Sequence, residues 1–399
     1  MPQDQILSAS QRETRRKLPI YSLHLDLIRG FAALLVLVSH LHMIVTGHTG
    51  ADDGKTGGLN LHPANATGLG HASVVIFFVL SGYLVGGSVL RDLRRNAFSW
   101  PKYALRRLAR LWTVLVPTLA LGAIIDAITL HFYSASRVVA TLQFTQNFQA
   151  PGPLQFLRYF GFLQNIQRLG IQQFGTNAAL WSLSNEFWYY VLFPLLAVSL
   201  IGSGISKHLR AALLVLAIFL LWFLGVGITG YFPLWLCGVA AYVAPAMIPA
   251  KLQGPATIAM TLQFLFVLFL MRSNAVGGLE ADSVIALSFT LLLYVLLHQT
   301  GPASSSIYSR FAHAVSFPSY SLYACHIPVC IFLAACCEQT LPNVFRHSTM
   351  AAGIIFVLVL VYAGMFYMIF ERNTDRFRSF AETIFKRNGS LAASSRGNT

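Results

Sequence analysis

Arg29, His40, Glu186 and His326 each fall inside a stretch of sequence otherwise apolar enough to lie within a lipid bilayer. Ionisable groups are costly in hydrocarbon and face a bundle interior or a wet cavity, so each is a candidate for chemistry. Arg29 and His40 are eleven residues apart, close to three helical turns, which puts both on one face with His40 roughly 16 Å further along. An imidazole at that depth can take or give a proton near neutral pH. The plainer alternatives are an arginine that snorkels to lipid phosphates and a histidine that bridges two helices. In the run RRLARLW, Arg107 and Arg110 are three apart at a helix entrance and can together grip a phosphate. Topology alone also places basic residues there. Glu186, in LWSLSNEFWYY, lies about two turns in from the outer end of its helix. A carboxylate so placed is paired, protonated or solvated, and suits proton transfer or the gripping of a hydroxylated acceptor. His326, in SYSLYACHIP, is mid-helix and either takes part in the chemistry or joins two helices. Asp26 and Glu371 sit at helix ends, where ion pairing accounts for them, and Ser81-Gly82 is a small pair that permits close packing.

The elements that must position these residues follow from composition. Of 399 residues 55% are hydrophobic and 11% charged, against roughly 25% charged in a soluble domain. Apolar runs long enough to span a bilayer occur at 25–46, 73–90, 111–132, 180–201, 211–228, 231–249, 254–272, 282–299, 313–337 and 350–371. The expected fold is an all-α polytopic membrane protein of about ten transmembrane helices. The first run contains Asp26 and Arg29 and no small-residue cleavage signature follows it, so it reads as a retained helix rather than a signal peptide. With the N-terminus inside, 21 of the 28 Lys and Arg fall on the inner side, six on the outer, and Arg29 within a helix. Positive residues accumulate in the cytoplasm, so both termini are expected there. The basic balance thus reflects membrane lipids and calls for no nucleic acid.

The boundaries expected are a basic tail over 1–20, a membrane domain over 21–376 and a cytoplasmic tail over 377–399, disordered from Gly389. The five cysteines all lie in apolar runs without a CxxC pair, which points to neither disulfides nor a metal site. Two long outer loops, 47–72 and 133–179, have the length of functional segments. Phe144, Gln146, Asn147, Phe148, Gln149, Phe156, Tyr159, Asn165 and Gln167 in the second can stack on sugars and bond their hydroxyls, or pack the loop onto the bundle.

Taken together, HLDLIRGFAALLVLVSHL, FFVLSGYL, RRLARLW, LWSLSNEFWYY, SYSLYACHIP and IFERN resemble the membrane acyltransferase-3 family of bacterial O-acyltransferases, from about residue 21 to 376. Arg29, ten residues and His40 match its principal motif, Arg107-x-x-Arg110 its second, and Glu186 and His326 match further polar positions. The resemblance implies transfer of an acyl group, usually acetyl, from cytoplasmic acyl-coenzyme A to a hydroxyl of a glycan or glycolipid outside a bacterial inner membrane, without a metal. His40, Glu186 and His326 would then be catalytic, and Arg29, Arg107 and Arg110 would hold the coenzyme. Some relatives append an extracytoplasmic hydrolase-like domain. None is present in this sequence, so transfer is expected to finish within the membrane domain. A secondary transporter of anionic or acylated small molecules would also carry intramembrane Arg, His and Glu, but favours two similar halves, and no internal repeat is visible.

Overall fold

The computed structural model describes residues 20–46, 63–146, 148–273, 278–299, 306–346, 348–379 and 382–383. The 1–19 part of the basic tail, residues 47–62 of the first outer loop and the stretch from Gly389 to Thr399 lie outside the described residues. Among the described residues every regular element is helical and no strand is present. Ten helices among them are long and apolar enough to cross a membrane. Apolar chain in lipid must satisfy its backbone internally, and a helix does so within one segment. In order the main elements are α1 (Ile20–Thr46), α2 (Pro63–Ser81), a π-helical turn (Gly82–Gly86), α3 (Gly87–Arg94), α4 (Trp100–Tyr133), α5 (Arg137–Gln146), α6 (Pro153–Phe160), α7 (Trp181–Ile201), α8 (Lys207–Leu224), α9 (Phe232–Val243), α10 (Ala250–Ser273), α11 (Leu279–Leu297), α12 (Ser306–Ser316), α13 (Ser319–Thr340) and α14 (Ser348–Ile369).

α1 sits centrally, packed on α2, α12, α13 and α14, and α13 also packs on α4. α13 is the most buried span, whereas α8 and α10 turn nearly all their surface outward. Val215, Phe219 and Trp222 on α8 and Ile258, Leu262 and Phe266 on α10 are exposed. Such apolar belts suit hydrocarbon and not water. Where α2 passes α9 the backbones touch. A Cβ at Gly82 would land on the Trp235 carbonyl, and one at Gly238 would meet the Val79 carbonyl and the Tyr83 amide. The small pair Ser81-Gly82 therefore does allow close packing. Gly238→Val is expected to destabilise by at least about 1–3 kcal/mol, as overpacking does, read as a lowered melting midpoint in detergent.

Three features depart from the sequence reading. α4 begins at Trp100 rather than near 111, with Ser99 extended and Pro101 in the first turn, so Arg107 and Arg110 lie two to three turns inside the helix. The span expected at 313–337 is two helices, α12 and α13, broken at Pro318. The second long loop, 133–179, is folded. Its 161–180 segment buries Phe162, Ile166, Phe174, Thr176 and Asn177. Asp126 on α4 anchors it, accepting hydrogen bonds from the Thr176 amide at 2.9 Å and hydroxyl at 2.7 Å. Gly175 has φ +51°, and a Cβ there would strike the Asp126 carboxylate, so glycine is required on both counts. The Asn177 amide donates to the Ala324 carbonyl of α13 at 2.9 Å.

Phe148 and Tyr159 are buried. The Asn165 amide donates to Asn185 Oδ1 at 2.6 Å and the Gly227 carbonyl at 2.9 Å. Burial also pushes the Tyr159 hydroxyl up to about 12, and it accepts from the Phe174 amide at 2.9 Å. These three residues fasten the loop rather than facing a sugar, while Gln149 and Gln167 are exposed. Asn147 and the side chains of Phe144 and Gln146 lie outside the description.

Candidate active site

Four of the six candidate residues line one cavity. Arg29 from α1, Arg107 and Arg110 from α4 and Glu186 from α7 surround it together with Ser81, Ser182, Tyr190, Tyr320 and Tyr323, and the space free of protein atoms between them, the open mouth included, is about 880 Å³. The Arg107 guanidinium donates to Ser88 Oγ at 2.8 Å and lies 5.5 and 5.7 Å from the ring centres of Tyr103 and Tyr190. Arg110 is open to the cavity and stands 6.0 Å over the Tyr320 ring. Arg29 is paired with Asp26 at 3.2 Å, the ion pair expected at that helix end. Glu371, at the other such position, accepts from the Ser321 amide at 3.1 Å and hydroxyl at 2.6 Å, capping α13.

Glu186 accepts hydrogen bonds from Ser81 Oγ at 2.8 Å and from the Tyr190 hydroxyl. Trp235 Nε1 donates to Ser81 Oγ at 3.2 Å, which fixes the direction of the serine's own proton toward Glu186. Because the 161–180 segment is sunk into the bundle, α7 starts inside it. Glu186 lies level with Ser81, near the middle of the 69–94 span, and about two turns into its own span, which begins at Ala178. Three guanidinium groups and one carboxylate line the cavity, with Asp26, the partner of Arg29, just outside the lining. The Nε atoms of Arg29 and Arg107 and the Tyr320 hydroxyl are buried without a hydrogen-bond partner. Unpaired buried donors of this kind suit an anionic group such as a phosphate.

His40 and His326 form a second centre beyond this cavity. His40 Nδ1 lies 2.9 Å from His326 Nε2. His326 Nδ1 lies 2.9 Å from the carbonyl oxygens of both Leu322 and Tyr323. Carbonyls only accept, so His326 carries its hydrogen on Nδ1 and its Nε2 is a lone pair. That lone pair can only accept, so neutral His40 donates from Nδ1. The Nε2 of His40 is then left unprotonated, a base or nucleophile whose tautomer is set by its partner. His326 is fully buried, whereas His40 is half-buried. Tyr323 links the two centres, lining the cavity while its ring lies 6.4 Å from that of His326.

The structure thus brings Arg29, Arg107, Arg110 and Glu186 together and His40 and His326 together, with Glu186 on the arginine side. Sequence reasoning missed Ser81, Tyr190, Tyr320 and Tyr323 as lining residues. For the tyrosines the signal was the motif context, since Tyr190 is four residues from Glu186 and Tyr320 and Tyr323 are six and three from His326, whereas Ser81 is far from every candidate in sequence and was read only as a packing position.

The described residues thus form a multi-pass helical bundle with an arginine-lined cavity and a paired-imidazole centre. Residues 23–370 match the acyltransferase-3 family, described as an acyltransferase domain, and the chain belongs to that family of membrane acyltransferases. An uncharacterised protein of Haemophilus influenzae is 27% identical over 127 residues, which is 31% of this chain and 47% of that one. The match thus spans about half the length of that relative. No solved structure matches.

Proposed function

We propose that the protein is an O-acyltransferase of a bacterial cytoplasmic membrane, moving an acetyl group from acetyl-coenzyme A on the cytoplasmic side to a hydroxyl of an exported or surface glycan. The observation that carries this reading is the arrangement along α1, with an arginine-lined cavity at Arg29 and a base-ready imidazole at His40 eleven residues further on. The arginines hold the anionic phosphates of the donor, and its pantetheine arm runs past Tyr323 toward His40. His40 Nε2 takes the proton of the acceptor hydroxyl as its oxygen attacks the thioester carbonyl, and returns it to the departing thiolate. In a two-step route the same nitrogen carries the acetyl group. His326 holds the tautomer that both routes need. Glu186 orders Ser81 and Tyr190 and offsets part of the cationic charge, which lets a product coenzyme leave.

The topology in this reading has both termini in the cytoplasm and rests on the biased placement of Lys and Arg. Reporter fusions at Ala66 and Gln149 are expected to read extracytoplasmic, and fusions at Asn96 and the C-terminus cytoplasmic. A cytoplasmic signal at Gln149 would put the arginine cavity on the wrong side for coenzyme A. Acetyl transfer itself is tested by deleting the gene: base-labile acetyl signals are expected to vanish from one isolated glycan, its sugar backbone unchanged.

A further inference from the structure

A histidine–carboxylate pair stands in the first half of α2, apart from both centres described above. His71 Nε2 lies 2.8 Å from Asp282 Oδ2 at the start of α11. The Asp282 side chain is 4% exposed and that of His71 40%. The Tyr231 hydroxyl comes within 3.4 Å of the same nitrogen. The His71 ring is stacked on Trp181 at 5.9 Å and 14°, and Trp181 lies 5.4 Å from Tyr231. A buried carboxylate only accepts, so it draws the imidazole hydrogen to Nε2 and leaves Nδ1 as a lone pair on an accessible ring.

Two placements tie this cluster to acyl transfer. Gly70 packs directly on Ser39, a Cβ on it falling 3.0 Å from the serine Cβ. His71 and His40 each follow one of these residues, so they lie at the same depth on adjacent helices. Phe78, a wall of the arginine cavity, packs against both Trp181 at 6.0 Å and Tyr231 at 5.9 Å. The cluster is therefore level with the proposed transfer centre and shares a wall with the proposed donor cavity.

We propose that His71, Asp282, Trp181 and Tyr231 form the acceptor subsite, in which His71 Nδ1 accepts a hydrogen bond from a sugar hydroxyl and the aromatic rings hold the sugar face. This rests on the acyltransferase reading above. The test uses the full chain, restored to a strain lacking its gene, with three readouts: base-labile acetate in isolated envelope glycan, protein level in the membrane, and binding of coenzyme A to the same membranes. His71→Gln, Asp282→Asn and Trp181→Ala are expected to lower the acetate about tenfold or more, the effect of losing a hydrogen bond or ring contact to substrate. Coenzyme A binding should stay within about twofold of wild type, and Trp181→Phe should restore most of the acetate. Undiminished acetate in His71→Gln overturns the subsite, as does loss of coenzyme A binding in parallel with acetate. Failure of the acyltransferase reading has a different signature: the deletion itself removes no acetate and wild-type membranes bind no coenzyme A.

Discussion

His40→Ala is expected to lower acetyl transfer by at least about two orders of magnitude, the contribution of a positioned general base, with protein level and coenzyme A binding unchanged. The separation is expected because His40 does not line the arginine cavity, while its Nε2 is the one imidazole nitrogen of the pair left free to react. His326→Ala should fall in the same direction by a smaller factor. It removes no reacting atom but frees the His40 ring to change tautomer and rotate, as loss of an orienting partner does. His326→Gln gives an internal check, because a side-chain carbonyl can still accept from His40 Nδ1 and should recover part of the rate. Transfer by His40→Ala above about a tenth of wild type would remove it from the chemistry.

The second large effect is expected at the arginines. Replacing both Arg107 and Arg110 with Gln should raise the KM for acetyl-coenzyme A by about tenfold or more while kcat falls less, the pattern of lost uniform binding. Each charge-assisted contact to an anion is worth about 1.5–3 kcal/mol. Lys at both positions should restore only part of the affinity, since an ammonium has no planar fork and cannot reproduce the stacking of Arg107 between Tyr103 and Tyr190. An unchanged KM would leave these arginines as markers of topology alone.

Much of this was legible from the sequence because lipid imposes simple rules. Apolar runs of about 20 residues gave the ten spans, and the 3.6-residue period placed Arg29 and His40 on one face. What escaped was set by contacts between distant residues. His40 and His326 are 286 positions apart, and no periodicity on either helix announces their meeting. The Gly, Asn, Gln and Thr of the 161–180 segment read as a surface loop, yet its Thr176, Asn177, Gln164 and Asn165 are spent on Asp126, Ala324 and the Leu180 and Gly227 carbonyls. Hydropathy also hid where α4 begins: Ser99-Trp100-Pro101 is a helix start, yet the polar turns that follow it carry no apolar signal. His71 escaped for a related reason. A span begun at residue 73 leaves it in the loop, and Asp282 then passes for an ordinary helix end.

In the proposed route acetyl leaves coenzyme A in this bundle through His40. Its most direct measurement is free coenzyme A released from acetyl-coenzyme A by sealed membrane vesicles exposing the cytoplasmic face, compared between wild type and His40→Ala at matched protein level. Wild-type vesicles should release coenzyme A in step with base-labile acetate formed in the glycan fraction, and His40→Ala vesicles should release about a hundredth as much or less. Equal release from the two, or none from wild type, would contradict it.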